Sequence, residues 1–133
     1  MKVFRNPIDI APPLAAYVHQ IEISGHERLL VISGQVGQNG DGFVPEDPIE
    51  QLTLALENLK RNLAAAHMVL EDLVKLNFYL VGEIDTAKRR DILAAFLGEH
   101  RPCMTLIYVA GLAGPKYRVE VEAWASRSSD DIK

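Results

Sequence analysis

One apolar stripe limits what this chain can fold into. Between Pro48 and Ala66, the residues Ile49, Leu52, Leu56, Leu59, Leu63 and Ala66 recur at alternating steps of three and four, while Glu50, Glu57, Lys60 and Arg61 stay off the line. That spacing draws one face down a helix, and such a face has to be buried against another layer. Asp47 suits the N-cap and Pro48 the first helical position. Most of the remaining chain has a period of two, so the helix is expected to pack on a sheet.

Tyr17 to Ser24 alternates Tyr17, His19, Ile21 and Ile23 against Val18, Gln20, Glu22 and Ser24. After a polar turn at Gly25–Arg28, Leu29 to Val36 is β-branched and apolar on both faces, and the pair predicts a hairpin. Gly34 interrupts its second strand. A glycine there marks either a bulge or a close approach to the backbone, in the sharper reading a ligand lying against Ser33 and Gly34. Gly37 to Asp47 reads as a loop.

Asp72 to Val81 is a third strand with Val74, Leu76, Phe78 and Leu80 on one face. Residues 84–98 form a second helix with Ile84, Ala87, Ile92, Ala95 and Phe96 inward, Lys88-Arg89-Arg90 as a basic shoulder, and Gly98 as its stop. Cys103–Ala110 and Tyr117–Ala125 are the last two strands. Residues 1–16, with three prolines, read as an irregular arm and 128–133 as a polar tail. The order is strand, strand, helix, strand, helix, strand, strand. It predicts one α+β domain over 1–133 with both helices on one face of a single sheet.

The second face of that sheet is expected to carry Met104, Leu106, Tyr108 and Trp124 beside Glu120 and Glu122. So large an apolar area implies self-association, with the polar groups gathered in clefts between subunits.

Composition narrows the function classes. The 133 residues are 48% hydrophobic and 24% charged, as expected of a soluble globular protein, and the net charge of −4 argues against a nucleic-acid partner. No stretch approaches the roughly 18 apolar residues of a membrane helix, so no membrane partner and a cytoplasmic address are expected. Cys103 is the only cysteine, and His19, His26, His67 and His100 are scattered, so no metal site is expected. With no His or cation beside it in the sequence, Cys103 reads as a small buried residue.

The segments Tyr17-Val18, Ser33-Gly34-Gln35-Val36, Leu56-Glu57-Asn58-Leu59, Asp72-Leu73-Val74-Lys75, Val109-Ala110-Gly111-Leu112 and Val119-Glu120-Val121-Glu122-Ala123 occur in the order found in the RidA/YjgF family, also called endoribonuclease L-PSP. The likeness runs from about Tyr17 to Arg127. The resemblance implies a chorismate-mutase-like fold of the Bacillus type, a single mixed sheet assembled as a homotrimer. It implies small-molecule ligands at the subunit interfaces, hydrolysis of enamines and imines such as 2-aminoacrylate, and no cofactor. In members with that activity an arginine grips the substrate carboxylate, and a glutamate of the last strand handles a water or proton.

Glu120 matches that glutamate, and on an apolar inner face it is expected to exchange a proton near neutrality. Its bland reading is an ion pair with Arg118 or a neighbouring subunit. Tyr17 matches an aromatic at the cleft mouth, where packing is the alternative role. Aligning on Pro102 and Val109–Leu112 puts Met104 where the family arginine stands, with Leu106 beyond it on the same side. Strand parity is read as turning Met104, Leu106 and Tyr108 to the cleft and Ile107 and Val109 to the helices, which leaves Arg101 ahead of the strand as a surface residue. Arg90 takes a place often given to asparagine, where it either supplies the missing cation or is solvated; Arg118 is a weaker candidate. Three functions follow: a deaminase-like hydrolase of altered substrate range, a non-catalytic metabolite-binding trimer, and a ribonuclease or translation inhibitor, which the acidic balance disfavours.

Overall fold

The computed structural model describes residues 1–131. Its elements are β1 (Lys2–Arg5), β2 (Gln20–Ile23), β3 (Glu27–Val36), α1 (Pro48–Ala65), β4 (Leu73–Leu80), α2 (Thr86–Leu97), β5 (Cys103–Tyr108) and β6 (Val119–Ser128), with 3-10 turns at Leu70–Asp72 and Ser129–Asp131. Four strands form a mixed sheet in the order β3-β6-β4-β5, antiparallel except for the parallel β4–β5 pair. The connection between those parallel partners runs through α2, as a crossover requires.

The expected α+β architecture is present, with two corrections near the start of the chain. Residues 1–16 are not wholly irregular: Lys2–Arg5 pairs antiparallel with Gln20–Ile23 in a separate two-stranded ribbon. β2 therefore forms no hairpin with β3, whose partner is β6. Arg5 strengthens the ribbon by donating to Gln20 at 3.0 Å and to Glu22 at 2.5 Å.

The core lies between the mixed sheet and α1. Leu52, Leu56, Leu59 and Leu63 meet Leu76, Phe78, Leu80, Val119, Val121 and Ala123, all nearly inaccessible to solvent. Burying each such side chain contributes about 1.5–3 kcal/mol. Asp47 caps α1 by accepting from the Ile49 amide at 3.1 Å. A register shift between Leu73 and Lys75 also brings Leu73 into the core, so β4 is less strictly alternating than its sequence suggests.

α2 starts at the Asp85 cap and stops at Gly98, whose φ of 57° is open to glycine. Its inward groups are Ile92, Leu93, Phe96 and Leu97, whereas Ala87 and Ala95 are exposed. β6 starts two residues later than expected and runs on to Ser128, the first residue of the expected tail. Lys133 and its neighbour at 132 lie outside the described residues. Among the described residues no helix is long and apolar enough to cross a membrane.

Candidate functional site

Paired residues in neighbouring strands share a face, so the register decides which groups can meet. Leu76, Phe78 and Leu80 pair with Met104, Leu106 and Tyr108, which puts those β5 residues on the helix face. Met104 and Leu106 pack against the core. Lys75, Asn77 and Tyr79 pair with Cys103, Thr105 and Ile107 on the open face, where Lys75 Nζ donates to Thr105 Oγ1 at 2.8 Å. β6 turns Val119, Val121 and Ala123 inward and Glu120, Glu122 and Trp124 to the open face. The expected grouping is thus reversed for β5: Met104, Leu106 and Tyr108 lie across the sheet from Glu120. The apolar part of the open face is instead Leu29, Val31, Ile107 and Trp124, each between 43% and 59% exposed.

Glu120 is half-buried on the open face near the start of β6, opposite Val36 on β3 and Tyr79 on β4. A register shift between Ile32 and Gln35 confirms a bulge around Ser33-Gly34. The group approaching the backbone there is the Glu120 side chain, which occupies the space a Cβ on Gly34 would need. Ser33 is exposed beside it, its carbonyl accepting from the Gln35 side chain at 2.9 Å.

Tyr79, which periodicity alone does not single out, completes this cluster. Its hydroxyl donates to Glu122 Oε1. That hydrogen bond, burial, and the charges of Glu122 and Glu120 push the phenol above its ordinary value of 10. The face around Glu120 is therefore polar and acidic, in contrast to the expected apolar surround. Cys103 is half-buried, and burial pushes its thiol up against the weaker opposing pull of Lys75, the cation its sequence neighbours did not reveal.

A second group assembles on the other side of the sheet. The Tyr17 hydroxyl accepts from the Leu14 amide at 3.2 Å, and the Tyr17 amide donates to Ala15 O at 2.9 Å, folding the arm into a turn. The Val18 amide then donates to Pro102 O at 3.1 Å, fixing the turn beside the start of β5. Arg90 faces this turn from α2.

The other arginines raised above have protein partners. Arg101 is exposed ahead of β5 and donates to Gly98 O at 2.8 Å and His100 O at 3.0 Å, closing the end of α2. Its position is as expected, although the parity argument for it is not, since its parity matches the open face. Arg118 donates to Val81 O and Glu83 O and makes no ion pair with Glu120. Among the described residues no three His, Cys, Asp or Glu side chains converge as metal ligands.

Residues 9–127 match the family Endoribonuclease L-PSP. TdcF of Escherichia coli K12 is 30% identical over 132 residues, covering 94% of each chain. The 2-iminobutanoate/2-iminopropanoate deaminase of the same organism is 30% identical over 119 residues, 86% of this chain and 89% of that one. Among solved structures, YyfB of Yersinia pestis, a Rid-family protein of unknown function, superposes with a TM-score of 0.81 at 30% identity, covering 93% and 97% of the two chains. E. coli TdcF with bound serine superposes at 0.68 and 30% identity, covering 93% and 94%.

Proposed function

Because the chain belongs to the endoribonuclease L-PSP, or RidA/YjgF, family, we propose that it hydrolyses a small enamine or imine to a ketoacid and ammonia. The observation that carries this reading is the seat of Glu120: a carboxylate held against the Gly34 backbone on a face open to a ligand. The deaminase activity named for an E. coli relative supplies the reaction type.

In this reading an enamine first takes a proton at carbon and gives one up from nitrogen, becoming the imine. Water adds to the imine carbon, forming a C–O bond while the π pair moves to nitrogen, which is protonated. The C–N bond then breaks as the new hydroxyl loses its proton, releasing ammonia and leaving the ketone. Glu120 is the group that carries the proton between water and nitrogen.

The site lies between copies of the chain. Ser33, Gly34 and Glu120 are on the open face, and Tyr17, Arg90, Met104 and Leu106 are on the other side of the sheet. A homotrimer built through the exposed Leu29, Val31, Ile107 and Trp124 brings the two groups from different subunits to one cleft. In this reading Met104 takes the place of the arginine that the family resemblance implies, and because a thioether offers no bidentate clamp, we infer a substrate range different from that of simple 2-imino acids. The serine bound in TdcF favours a second reading, a trimer that holds a metabolite in the same clefts without transforming it.

The test is to generate 2-iminobutanoate in situ and follow ketoacid release with the wild-type protein, with Glu120→Gln and with buffer. Wild-type acceleration that Glu120→Gln loses supports the hydrolase. A wild-type rate equal to buffer overturns it.

A further inference from the structure

We propose that Asn39-Gly40, in the loop between β3 and α1, is a site of spontaneous covalent modification: the folded loop converts Asn39 through a cyclic succinimide to aspartate and isoaspartate, releasing ammonia. The loop brings together an unengaged nucleophile, a polarised carbonyl and an unhindered leaving group. The reaction needs no ligand and no second subunit.

Asn39 is half-buried and Gly40 is exposed. The loop closes on itself where the Asn39 amide donates to Phe43 O at 3.1 Å and the Gly42 amide to Asn39 O at 3.0 Å. Inside that closure Asn39 Oδ1 accepts from the Asp41 amide at 3.2 Å and from the Phe43 amide at 3.0 Å. Two N–H groups on one amide oxygen draw electrons from Cγ and stabilise the negative charge that the oxygen gains when Cγ is attacked. The attacking atom is the Gly40 nitrogen, whose N–H donates to no group among the described residues, and Asn39 Nδ2 is likewise unengaged. Glycine has no Cβ to crowd that approach, and a Cβ built there meets open space.

The Gly40 nitrogen gives up its proton to hydroxide or water and bonds to Asn39 Cγ, while the carbonyl π pair moves to Oδ1. Collapse of the adduct breaks the Cγ–Nδ2 bond, and the departing nitrogen takes a proton to leave as ammonia. Water then opens the ring, giving aspartate when it adds at Cγ and isoaspartate when it adds at the backbone carbon. In sum, one amide and one water become one acid and one ammonia. The other asparagines lack this arrangement. Asn6 precedes Pro7, which has no N–H, and the residues after Asn58, Asn62 and Asn77 lie within α1 and β4. Either product adds a negative charge beside Asp41, whose carboxylate accepts from the same Phe43 amide at 3.0 Å. Isoaspartate also lengthens the main chain by one atom next to Gln38, which accepts from Tyr117 and from Asn58 at 2.8 Å each, so it loosens the ties from this loop to β6 and α1.

The full chain is incubated at mildly alkaline pH, folded in buffer and unfolded in urea, and its asparagine peptides are quantified by mass spectrometry with fragmentation that separates aspartate from isoaspartate. Both products are expected at Asn39 in the folded protein and neither at the other asparagines. The folded rate at Asn39 is expected to match or exceed the unfolded rate, because the loop supplies the two donors to Oδ1 that a random chain lacks. Gly40→Ala, whose added methyl meets open space in the fold but crowds the attacking nitrogen, is expected to stay folded and to slow conversion about tenfold. A folded rate below the unfolded one overturns the assignment, as does aspartate formed without isoaspartate, since direct hydrolysis bypasses the ring. Conversion of folded Gly40→Ala within about twofold of wild type also overturns it.

Discussion

The side chain of Glu120 fills the space that a side chain on Gly34 would require, so the two positions on adjacent strands are sterically coupled. The first expectation follows from that coupling. Gly34→Ala forces the carboxylate out of its seat, and because the displaced group is the end of a flexible side chain on an open face, the cost in stability is expected to stay below about 1 kcal/mol. Glu120→Ala vacates the same space, so the double variant is expected to be more stable than the sum of the single changes predicts. Denaturant melts of the four proteins give the coupling; strict additivity would show that the strands relax around the clash at no cost.

Activity is expected to follow the carboxylate rather than overall stability. Glu120→Gln keeps the shape but loses the proton carrier, and ketoacid release is expected to fall by about 10²–10⁴-fold, the usual contribution of a positioned acid–base group. Steady-state rates at matched folded fractions check this.

Tyr79 gives a pH signature. Its folded-state value is raised, first by the hydrogen bond to Glu122, then by burial and the charges of Glu122 and Glu120. A raised value means that the folded state holds the proton more tightly, so this contribution to stability is full below pH 10 and is lost as pH climbs through the raised value. The ultraviolet difference titration between wild type and Tyr79→Phe is expected to have its midpoint above 10, and in a Glu122→Gln background to move back toward 10. A midpoint unaffected by Glu122→Gln would remove Glu122 as the cause.

Gln51 is fully buried in α1, and its amide joins three segments: it donates to Pro45 O at 2.8 Å and Lys116 O at 3.0 Å and accepts from the Arg118 amide at 2.8 Å. Gln51→Leu leaves those backbone groups unpaired in the interior, at about 1–3 kcal/mol for each one that water cannot reach. A calorimetric Tm lowered by several degrees is the expected readout, and an unchanged Tm would show that solvent replaces the amide.

The parts of the fold legible in the sequence are those fixed by local spacing. α1 is specified by its 3-4 stripe and by Asp47, and α2 by its apolar positions and by Gly98, within a residue or two of their observed ends. What spacing could not supply was pairing. Lys2–Arg5 is too short to show a period, and its partner lies beyond the prolines of the arm. β5 is apolar on both sides, so its alternation separates Met104, Leu106 and Tyr108 from Cys103, Thr105 and Ile107 without saying which set meets the helices. Only the Leu76–Met104 register settles that. Tyr79 was hidden for the same reason, since its importance comes from Glu120 and Glu122 on another strand.

The opposition of Met104 and Glu120 across one sheet has a genetic consequence if clefts form between copies as proposed. A change at Glu120 disables the half-site a chain lends to one neighbour; a change at Arg90 disables the half it lends to the other. Two such defective chains, mixed in one assembly, still leave some clefts built from two sound halves. Each variant is impaired alone, yet a cell carrying both alleles would recover part of what each has lost.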